Sequence, residues 1–271
     1  MNTDPILTIL IPHYKTLSLL KLCLQYLKKY TDLNKVKVII IDNNSMDGTV
    51  ELLQTVKWIT LIVRKTDHQE EPGVMHAKAL DLGLEKVDTP YVLSIHTDTI
   101  VINGNWLDFL LKKIEKSNNI AGVGSWKLEQ VSSFKRIGKY FEQFFQRKIL
   151  FPIIGEKNHL IEGVGDNYYY LRSHCALYRT ELIKKYTNGF YEGEVIGKAG
   201  RILHKKLIDA GFEMIFLPSR VLINYIQHLN HATMILHPEL GCRKTGGKKS
   251  YNRIMKEMKA LNYEEMLNKE L

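Results

Sequence analysis

Apolar residues in this chain form short unbroken runs that alternate with longer segments of helical spacing. Residues 7–11 and 38–41 consist of Leu, Ile and Val with a single Thr, which is typical of strands buried on both faces. Between them, residues 17–30 place leucines at helical spacing, with lysines at the outer positions. This order of strand, helix and strand predicts a right-handed βαβ unit in a parallel sheet.

The same alternation continues along the chain. The spacing of Ala and Leu predicts a helix over residues 73–84, and the apolar run at 89–95 predicts a third strand. A C-terminal helix is expected from about Tyr251 to Leu267, with an apolar face that includes Ile254 and Met258. We therefore expect an α/β protein with a mainly parallel sheet.

Polar residues stand at the point where two of these strands end. Asp42 follows the second strand directly and precedes a run of turn-forming residues, and His96-Thr97-Asp98 follows the third strand. Open α/β sheets bind ligands beyond the carboxyl ends of their strands. The pattern therefore indicates a binding edge, although Asp42 taken alone also fits an incidental acid in a turn.

Composition narrows the classes of partner. The chain has 271 residues, is 45% hydrophobic and carries a formal net charge of +9 with a pI of about 9.2. This charge suits an anionic partner such as a nucleoside diphosphate, a lipid phosphate or an anionic membrane surface. Nucleic acid is disfavoured because the sequence has no zinc finger, RNP motif or basic heptad array.

Three features of the sequence bear on cellular location. The three cysteines are scattered without zinc spacing. No apolar run approaches the ~20 residues that span a bilayer, and residues 1–5 lack the basic start of a signal peptide. We expect a cytoplasmic protein, with peripheral contact at the inner face of the membrane as an open alternative.

Two segments resemble the opening motifs of the family 2 glycosyltransferases. Residues 12–15, Pro-His-Tyr-Lys, are similar to the family's Pro-x-Tyr-Asn and depart from it at Lys15. Residues 42–49, Asp-Asn-Asn-Ser-Met-Asp-Gly-Thr, match Asp-x-x-Ser-x-Asp-Gly-Thr. Residues 210–218 resemble a later family motif, and residues 221–226 are expected to form the strand after it. The whole resemblance covers about residues 7–233. It implies the GT-A fold of nucleotide-diphospho-sugar transferases, a mainly parallel twisted sheet with helices on both faces.

The resemblance also implies where a nucleotide-sugar donor and a divalent metal ion bind. Asp98 matches the last acid of the family's Asp-x-Asp motif, a metal ligand, whereas His96 replaces the first acid. A later ligand falls on His231, with His228 as the runner-up. The donor-binding residues implied are Pro12, Tyr14, Asp42, Asn44, His76, Asp81, His96 and Thr97. The ion would be Mn²⁺ or Mg²⁺, although imidazole is a poor ligand for Mg²⁺.

The general base is where the sequence departs most from the family. The family's Glu-Asp pair would fall on Ala199 and Gly200, and neither has a carboxylate. The nearest acids are Glu194 and Glu192 in a glycine-flanked loop, and Glu194 is preferred. The implied reaction is inverting transfer of a sugar to an acceptor hydroxyl, in cell-surface polysaccharide or glycolipid assembly. The alternative is a non-catalytic GT-A-like domain that binds a nucleotide or a glycan.

The implied domain spans residues 1–235, with a donor half to about residue 125 and an acceptor half from about 126. Residues 236–271 would add a basic loop and the C-terminal helix. Residues 134–151 mix phenylalanines with Lys and Arg, which fits either a core helix with a basic outer face or a surface that meets an anionic bilayer. A saccharide or a lipid-linked molecule is the expected acceptor.

Overall fold

The protein is described by a computed structural model covering residues 4–66, 70–128, 141, 144, 163, 167–193, 199–230, 232–236 and 248–271. The first half contains β1 (Leu7–His13), α1 (Leu17–Tyr30), β2 (Val36–Asp42), α2 (Thr49–Leu53), β3 (Thr60–Val63), α3 (Pro72–Leu84), β4 (Tyr91–Ile95), β5 (Thr99–Val101), α4 (Trp106–Ile114) and β6 (Ile120–Gly124).

The second half begins with strand β7 (Cys175–Arg179) and helices α5 (Thr180–Tyr186) and α6 (Arg201–Asp209). It continues with β8 (Glu213–Phe216), α7 (Ser219–Leu222), β9 (Ile226–His228), α8 (Ala232–Leu236), α9 (Lys248–Ala260) and α10 (Tyr263–Leu267).

Seven strands form the central sheet in the order β3-β2-β1-β4-β7-β6-β8. Strand β1 runs parallel to β2 and β4, β2 runs parallel to β3, and β6 runs parallel to β8. Among the strands in the described part of the chain, β7 alone runs antiparallel to its neighbours in this sheet, β4 and β6. The expected mainly parallel sheet is therefore confirmed, with one strand reversed in its middle.

Alternate residues of the central strands enter two separate cores. In β1, Ile9 and Ile11 join the core that includes α1 and α4, whereas Leu10 joins the core that includes α3, α5 and α6. In β2, Ile40 and Ile41 divide in the same way. Because side chains alternate across a strand, an unbroken apolar run is what a sheet covered on both faces requires.

The C-terminal segment packs against the first of these cores. Met258 and Met266 are buried with the apolar face of α1, and the Tyr26 hydroxyl donates to the Leu261 carbonyl over 2.9 Å. The single helix expected at 251–267 is divided into α9 and α10. The break falls at Asn262, whose φ of 47° lies in the left-handed region that asparagine tolerates better than most residues.

One sequence expectation about local structure is wrong. The motif at 210–218 does contain a strand, β8, but residues 221–226 are not the next strand: residues 219–222 form the short helix α7. Pro218 stands at its N-cap and its carbonyl accepts from the backbone N–H groups of Val221 and Leu222. Strand β9 begins only at Ile226.

Two of the outward-facing segments lie outside the described residues. They are the basic loop at 242–247 and residues 134–151, apart from Phe141 and Phe144, which are exposed. Within the part of the chain that is described, no helix combines the length and apolarity needed to cross a bilayer.

Candidate functional site

A cavity of about 420 Å³ opens at the edge of the sheet where β1 and β4 end. It is lined by seven of the residues that the sequence singles out: Pro12, Tyr14, His76, His96, Thr97, Asp98 and His228. The carboxyl ends of parallel strands meet at this edge, as expected for a ligand site in an open α/β sheet.

A small second sheet brings His228 to Asp98. Strands β5 and β9 pair antiparallel, with Thr99 opposite His228, and the Leu229 N–H donates to the Asp98 carbonyl over 2.9 Å. As a result His228 Nε2 lies 3.1 Å from Asp98 Oδ1, and His96 Nδ1 lies 3.9 Å from the same oxygen.

These three side chains could hold a metal ion. Each offers one ligand atom, and the three ligand atoms all lie within 4.8 Å of one another. Two imidazole nitrogens and one carboxylate oxygen form a donor set that suits divalent transition metals.

Further polar residues hold the imidazole rings of this site. The Ser173 hydroxyl bridges His96 Nε2 and His76 Nε2 at 2.9 and 3.0 Å. The His174 ring stacks on His228 at a centroid distance of 4.9 Å, and its Nε2 lies 2.8 Å from the Ser125 hydroxyl. The cavity wall is therefore built from a layer of hydrogen-bonded histidines.

The charge states of these histidines depend on their burial and on the nearby Asp98 carboxylate. Burial opposes ionisation of Asp98, but the charge of His228 and its hydrogen bond hold the Asp98 pKa well below its usual value. Burial also disfavours charge on His228, yet Asp98 raises the net pKa of that imidazole. Burial lowers the pKa of His76 to about 4 and holds the pKa of His96 well below 6.5. The site thus combines one anion with mostly neutral imidazoles, as metal ligation requires.

Asp42 is buried at the end of β2, with its carboxylate engaged inside the following turn. Its Oδ1 accepts from the Ser45 hydroxyl at 2.5 Å and its Oδ2 accepts from the Ser45 N–H at 3.0 Å. The neighbouring residue Asn43 lines the cavity, whereas Asp42 and Asn44 do not. The acid therefore holds the turn in shape, and Asn43 is the residue of this turn that lines the cavity.

Asp81 also lies away from the cavity lining. Its two oxygens accept from the backbone N–H groups of Phe190 and Tyr191 at 2.6 and 2.9 Å, which ties α3 to the loop after α5. Burial raises the pKa of Asp81 to about 6, although these two N–H donors favour the ionised form. These contacts fix the position of the loop after α5 relative to α3.

Of the two acids expected near the acceptor, Glu192 lies within the described residues and Glu194 does not. His231, a candidate for the later metal ligand, also lies outside them. The Glu192 side chain is 5% exposed and its Oε2 lies 2.5 Å from Lys206 Nζ, beside the main cavity rather than in its wall. Ala199, on which the resemblance places the family's acid, does line the cavity.

The sequence reasoning missed Asn43, Arg172, Ser173 and His174 as cavity residues. The last three directly precede β7, which runs antiparallel to β4 so that Cys175 lies opposite Ile95. The start of β7 therefore reaches the same edge as the end of β4. The available signal was a cluster of polar residues next to a buried strand, but its use required knowing the direction of that strand.

Comparison with known proteins agrees with this geometry. Residues 8–187 match the family model for glycosyl transferase family 2. The chain is 31% identical over 122 residues to the processive diacylglycerol beta-glycosyltransferase of Mycoplasma genitalium, an alignment that covers 44% of this chain and 35% of that enzyme. The chain thus spans only about a third of that relative's length.

Solved structures show the same fold at low identity. The mannosyltransferase PcManGT of Pyrobaculum calidifontis, solved with GDP-Man and Mn²⁺, superposes with a TM-score of 0.55 at 15% identity, over 97% of this chain and 70% of that one. Residues 1–349 of S. aureus TarS superpose with a TM-score of 0.50 at 14% identity, over 95% and 72% of the two chains. The family match covers well over half of the chain, which therefore belongs to glycosyl transferase family 2 and has its GT-A fold.

Proposed function

We propose that this protein is a metal-dependent, inverting glycosyltransferase that moves a sugar from a nucleoside diphosphate sugar to an acceptor hydroxyl. The observation that carries the proposal is the placement of Asp98 and His228 together in the wall of a cavity at the carboxyl edge of the sheet. Membership of the family and the bound GDP-Man and Mn²⁺ of the P. calidifontis mannosyltransferase support it.

Two groups of cavity residues would divide the work on the donor. Tyr14 and Asn43 line it next to the ends of β1 and β2 and would contact the nucleoside. Asp98 and His228 would hold the metal, with His231 as a further candidate. A bound divalent ion would offset the charge that develops on the leaving diphosphate.

Arg172 offers a fixed positive charge to the same diphosphate. It lines the cavity, and its guanidinium group lies 5.3 Å from the centre of the Trp126 ring. Stacking of this kind orients the planar group without neutralising it. A cation aimed at the leaving group stabilises negative charge in the transition state more than in the ground state.

The acceptor would lose its proton to a carboxylate of the loop after α5. Glu194 is the preferred base and Glu192 the second choice, although Glu192 is paired with Lys206 and would have to leave that pair first. A single in-line displacement with such a base inverts the configuration at the transferred sugar.

The relative from M. genitalium suggests a lipid acceptor and hence work at a membrane surface. That enzyme is named a processive diacylglycerol beta-glycosyltransferase, and this chain carries a formal net charge of +9 that suits an anionic bilayer. We infer a role in glycolipid or cell-surface polysaccharide assembly, by a cytoplasmic protein in peripheral contact with the membrane.

A second candidate function is nucleotide or glycan binding without catalysis. The observation that favours it is the missing acid at Ala199 and Gly200. Of the described residues that line the cavity, Asp98 is the one carboxylate. This candidate shares the donor site with the first and differs only in the absence of turnover.

Product formation separates the two functions. The protein is incubated with UDP-, GDP- and dTDP-sugars and Mn²⁺, with and without vesicles that contain diacylglycerol. Free nucleoside diphosphate and sugar-bearing lipid are then measured. Transfer that disappears in Asp98→Asn supports the enzyme, whereas saturable nucleotide binding without hydrolysis or transfer from any donor supports the binding domain.

A further inference from the structure

We infer that His96, Asp98 and His228 form a two-histidine, one-carboxylate centre that binds Mn²⁺, Co²⁺ or Zn²⁺ in preference to Mg²⁺. Ser173 and Asn230 are the positioning residues that present the two imidazoles to the ion. The inference deepens the proposed function because it concerns the same site, but metal binding tests it without any sugar transfer.

The orientation of His228 is determined by the side-chain amide of Asn230. The Asn230 Nδ2 group donates to the carbonyls of Leu128 and His228 at 3.1 and 3.2 Å, which leaves Oδ1 facing His228 Nδ1 at 2.9 Å. An amide oxygen can only accept, so Nδ1 carries the proton. In the neutral ring Nε2 then offers its lone pair, and this is the atom that lies 3.1 Å from Asp98 Oδ1.

Ser173 orients the His96 ring through a hydrogen bond, as Asn230 orients the His228 ring. Its hydroxyl has one proton and lies within 3.0 Å of both His96 Nε2 and His76 Nε2. If His96 Nε2 donates to Ser173 and Ser173 donates to His76, all three groups are satisfied and His96 Nδ1 keeps a free lone pair. That Nδ1 atom is the one directed at Asp98, at 3.9 Å.

The distances need little adjustment to accept an ion. An ion at about 2.1 Å from each ligand atom separates neighbouring ligands by about 3 to 3.5 Å. The His228–Asp98 separation of 3.1 Å already lies in this range, and the His96–Asp98 separation of 3.9 Å is slightly wider. The ligand atoms of His96 and His228 lie within 4.8 Å of each other, so binding requires His96 to move toward both partners by about 1 Å.

The donor set decides the selectivity. Mg²⁺ favours oxygen ligands in a strict octahedron and gives up its water reluctantly. Imidazole nitrogen suits Mn²⁺, Co²⁺ and Zn²⁺, with affinity rising toward Zn²⁺. His96 stands where an acid would offer an oxygen and a negative charge. The protein therefore contributes one oxygen and two nitrogens, which lowers its affinity for Mg²⁺ relative to the transition metals.

Titration of the metal-free 271-residue chain with Co²⁺ tests the centre directly. The visible absorption of bound Co²⁺ reports its ligands, and displacement by Zn²⁺, Mn²⁺ or Mg²⁺ ranks the affinities. We expect Zn²⁺ and Mn²⁺ to displace Co²⁺ at far lower concentrations than Mg²⁺, and His96→Asp to narrow the gap between Mn²⁺ and Mg²⁺. Mg²⁺ that competes as well as Mn²⁺, no uptake of Co²⁺, or an unchanged metal ranking in His96→Asp would overturn the inference.

A matched pair of serine variants tests the positioning role. Loss of a residue that orients a metal ligand commonly costs about 10–100-fold in metal affinity, so Ser173→Ala should weaken Co²⁺ binding by that factor and alter its spectrum. Ser125→Ala removes a buried hydroxyl that bonds to His174 instead, and it should change Co²⁺ affinity much less. Equal losses in the two variants, with both folded by circular dichroism, would reduce Ser173 to a structural residue.

Discussion

His228 Nε2 lies 3.1 Å from Asp98 Oδ1, and the pairing of two three-residue strands, β5 and β9, creates this contact. Asp98 follows β4 in the proposed donor half of the domain, and His228 is the last residue of β9 in the proposed acceptor half. The contact therefore links the two halves. A single substitution on either side should therefore affect both metal binding and nucleotide binding.

Asp98→Asn should abolish Mn²⁺-dependent nucleotide binding, because an amide cannot supply the anionic oxygen that a divalent ion needs. Calorimetry with UDP and GDP, in the presence and absence of Mn²⁺, measures the loss. Asp88→Asn is the matched control, since Asp88 is an exposed partner of Lys37 far from the cavity. Equal Mn²⁺-dependent affinity in wild type and Asp98→Asn would remove Asp98 from the metal site.

His228→Ala and His231→Ala compare the two histidines that the sequence leaves as candidates for the later ligand. We expect His228→Ala to weaken metal-dependent nucleotide binding at least about tenfold, because it removes the nitrogen beside Asp98. His231→Ala is the matched comparison. A larger loss in His231→Ala would return the role to His231, and no loss in either would leave both histidines structural.

The fold follows from local patterns to a large extent. The apolar runs of β1, β2 and β4 and the helical spacing of α1 and α3 are local signals, and each of these elements is present. The short helix α7 was missed because Val221, Ile223 and Tyr225 favour a strand by type, whereas Pro218 begins a helical turn there. Tertiary packing of Leu222 in the core outweighs that preference.

Sequence alone could place only those site residues that directly follow a predicted strand. Asp98 and His96 follow β4 directly, so their position at the edge of the sheet could be inferred. Ser173 and His174 reach the same edge because β7 is antiparallel, and strand direction is not encoded in hydrophobic spacing. Asp42 is assigned to the donor from its motif. Its oxygens bond to Ser45 in the turn, and its contact with the donor stays a prediction.

Glu194→Gln should lower turnover by about 10²–10⁴-fold if Glu194 is the base that deprotonates the acceptor, because a general base contributes in that range. Donor affinity should stay unchanged, since an amide of the same shape replaces an acid that has no part in the proposed metal centre. Glu192→Gln is the comparison. A full loss in Glu192→Gln alone would move the role to Glu192, and full activity in both variants would contradict this placement of the acceptor.

Gly189→Ala should destabilise the protein, because Gly189 has a φ of 104° and an added Cβ would collide with the Asp81 carboxylate. The substitution strains the backbone and disturbs the bonds from Phe190 and Tyr191 to Asp81, so we expect a loss of at least about 2 kcal/mol in the free energy of unfolding. Urea denaturation measures it. Gly104→Ala is the control, since Gly104 has open space around it; a similar effect in both variants would contradict the role of Asp81.

His204→Asn tests a buried neutral histidine that belongs neither to the proposed metal centre nor to the cavity lining. His204 is 4% exposed, and its Nδ1 accepts from the Leu171 N–H. Burial lowers its pKa from 6.5 to about 4. As the pH falls from 6.5 toward 4, the unfolded chain binds a proton that the folded protein resists, so stability present above pH 6.5 is progressively lost.

Asparagine offers an oxygen near the position of Nδ1 and cannot be protonated in this range. The decrease in the free energy of unfolding between pH 7 and pH 4.5 should therefore be smaller in His204→Asn than in wild type, by about 2 kcal/mol. Urea denaturation at several pH values, with a chelator present so that metal binding does not contribute, measures the difference. Other buried histidines will leave some pH dependence in the variant. Parallel stability curves for the two proteins would show that His204 titrates normally in the folded state.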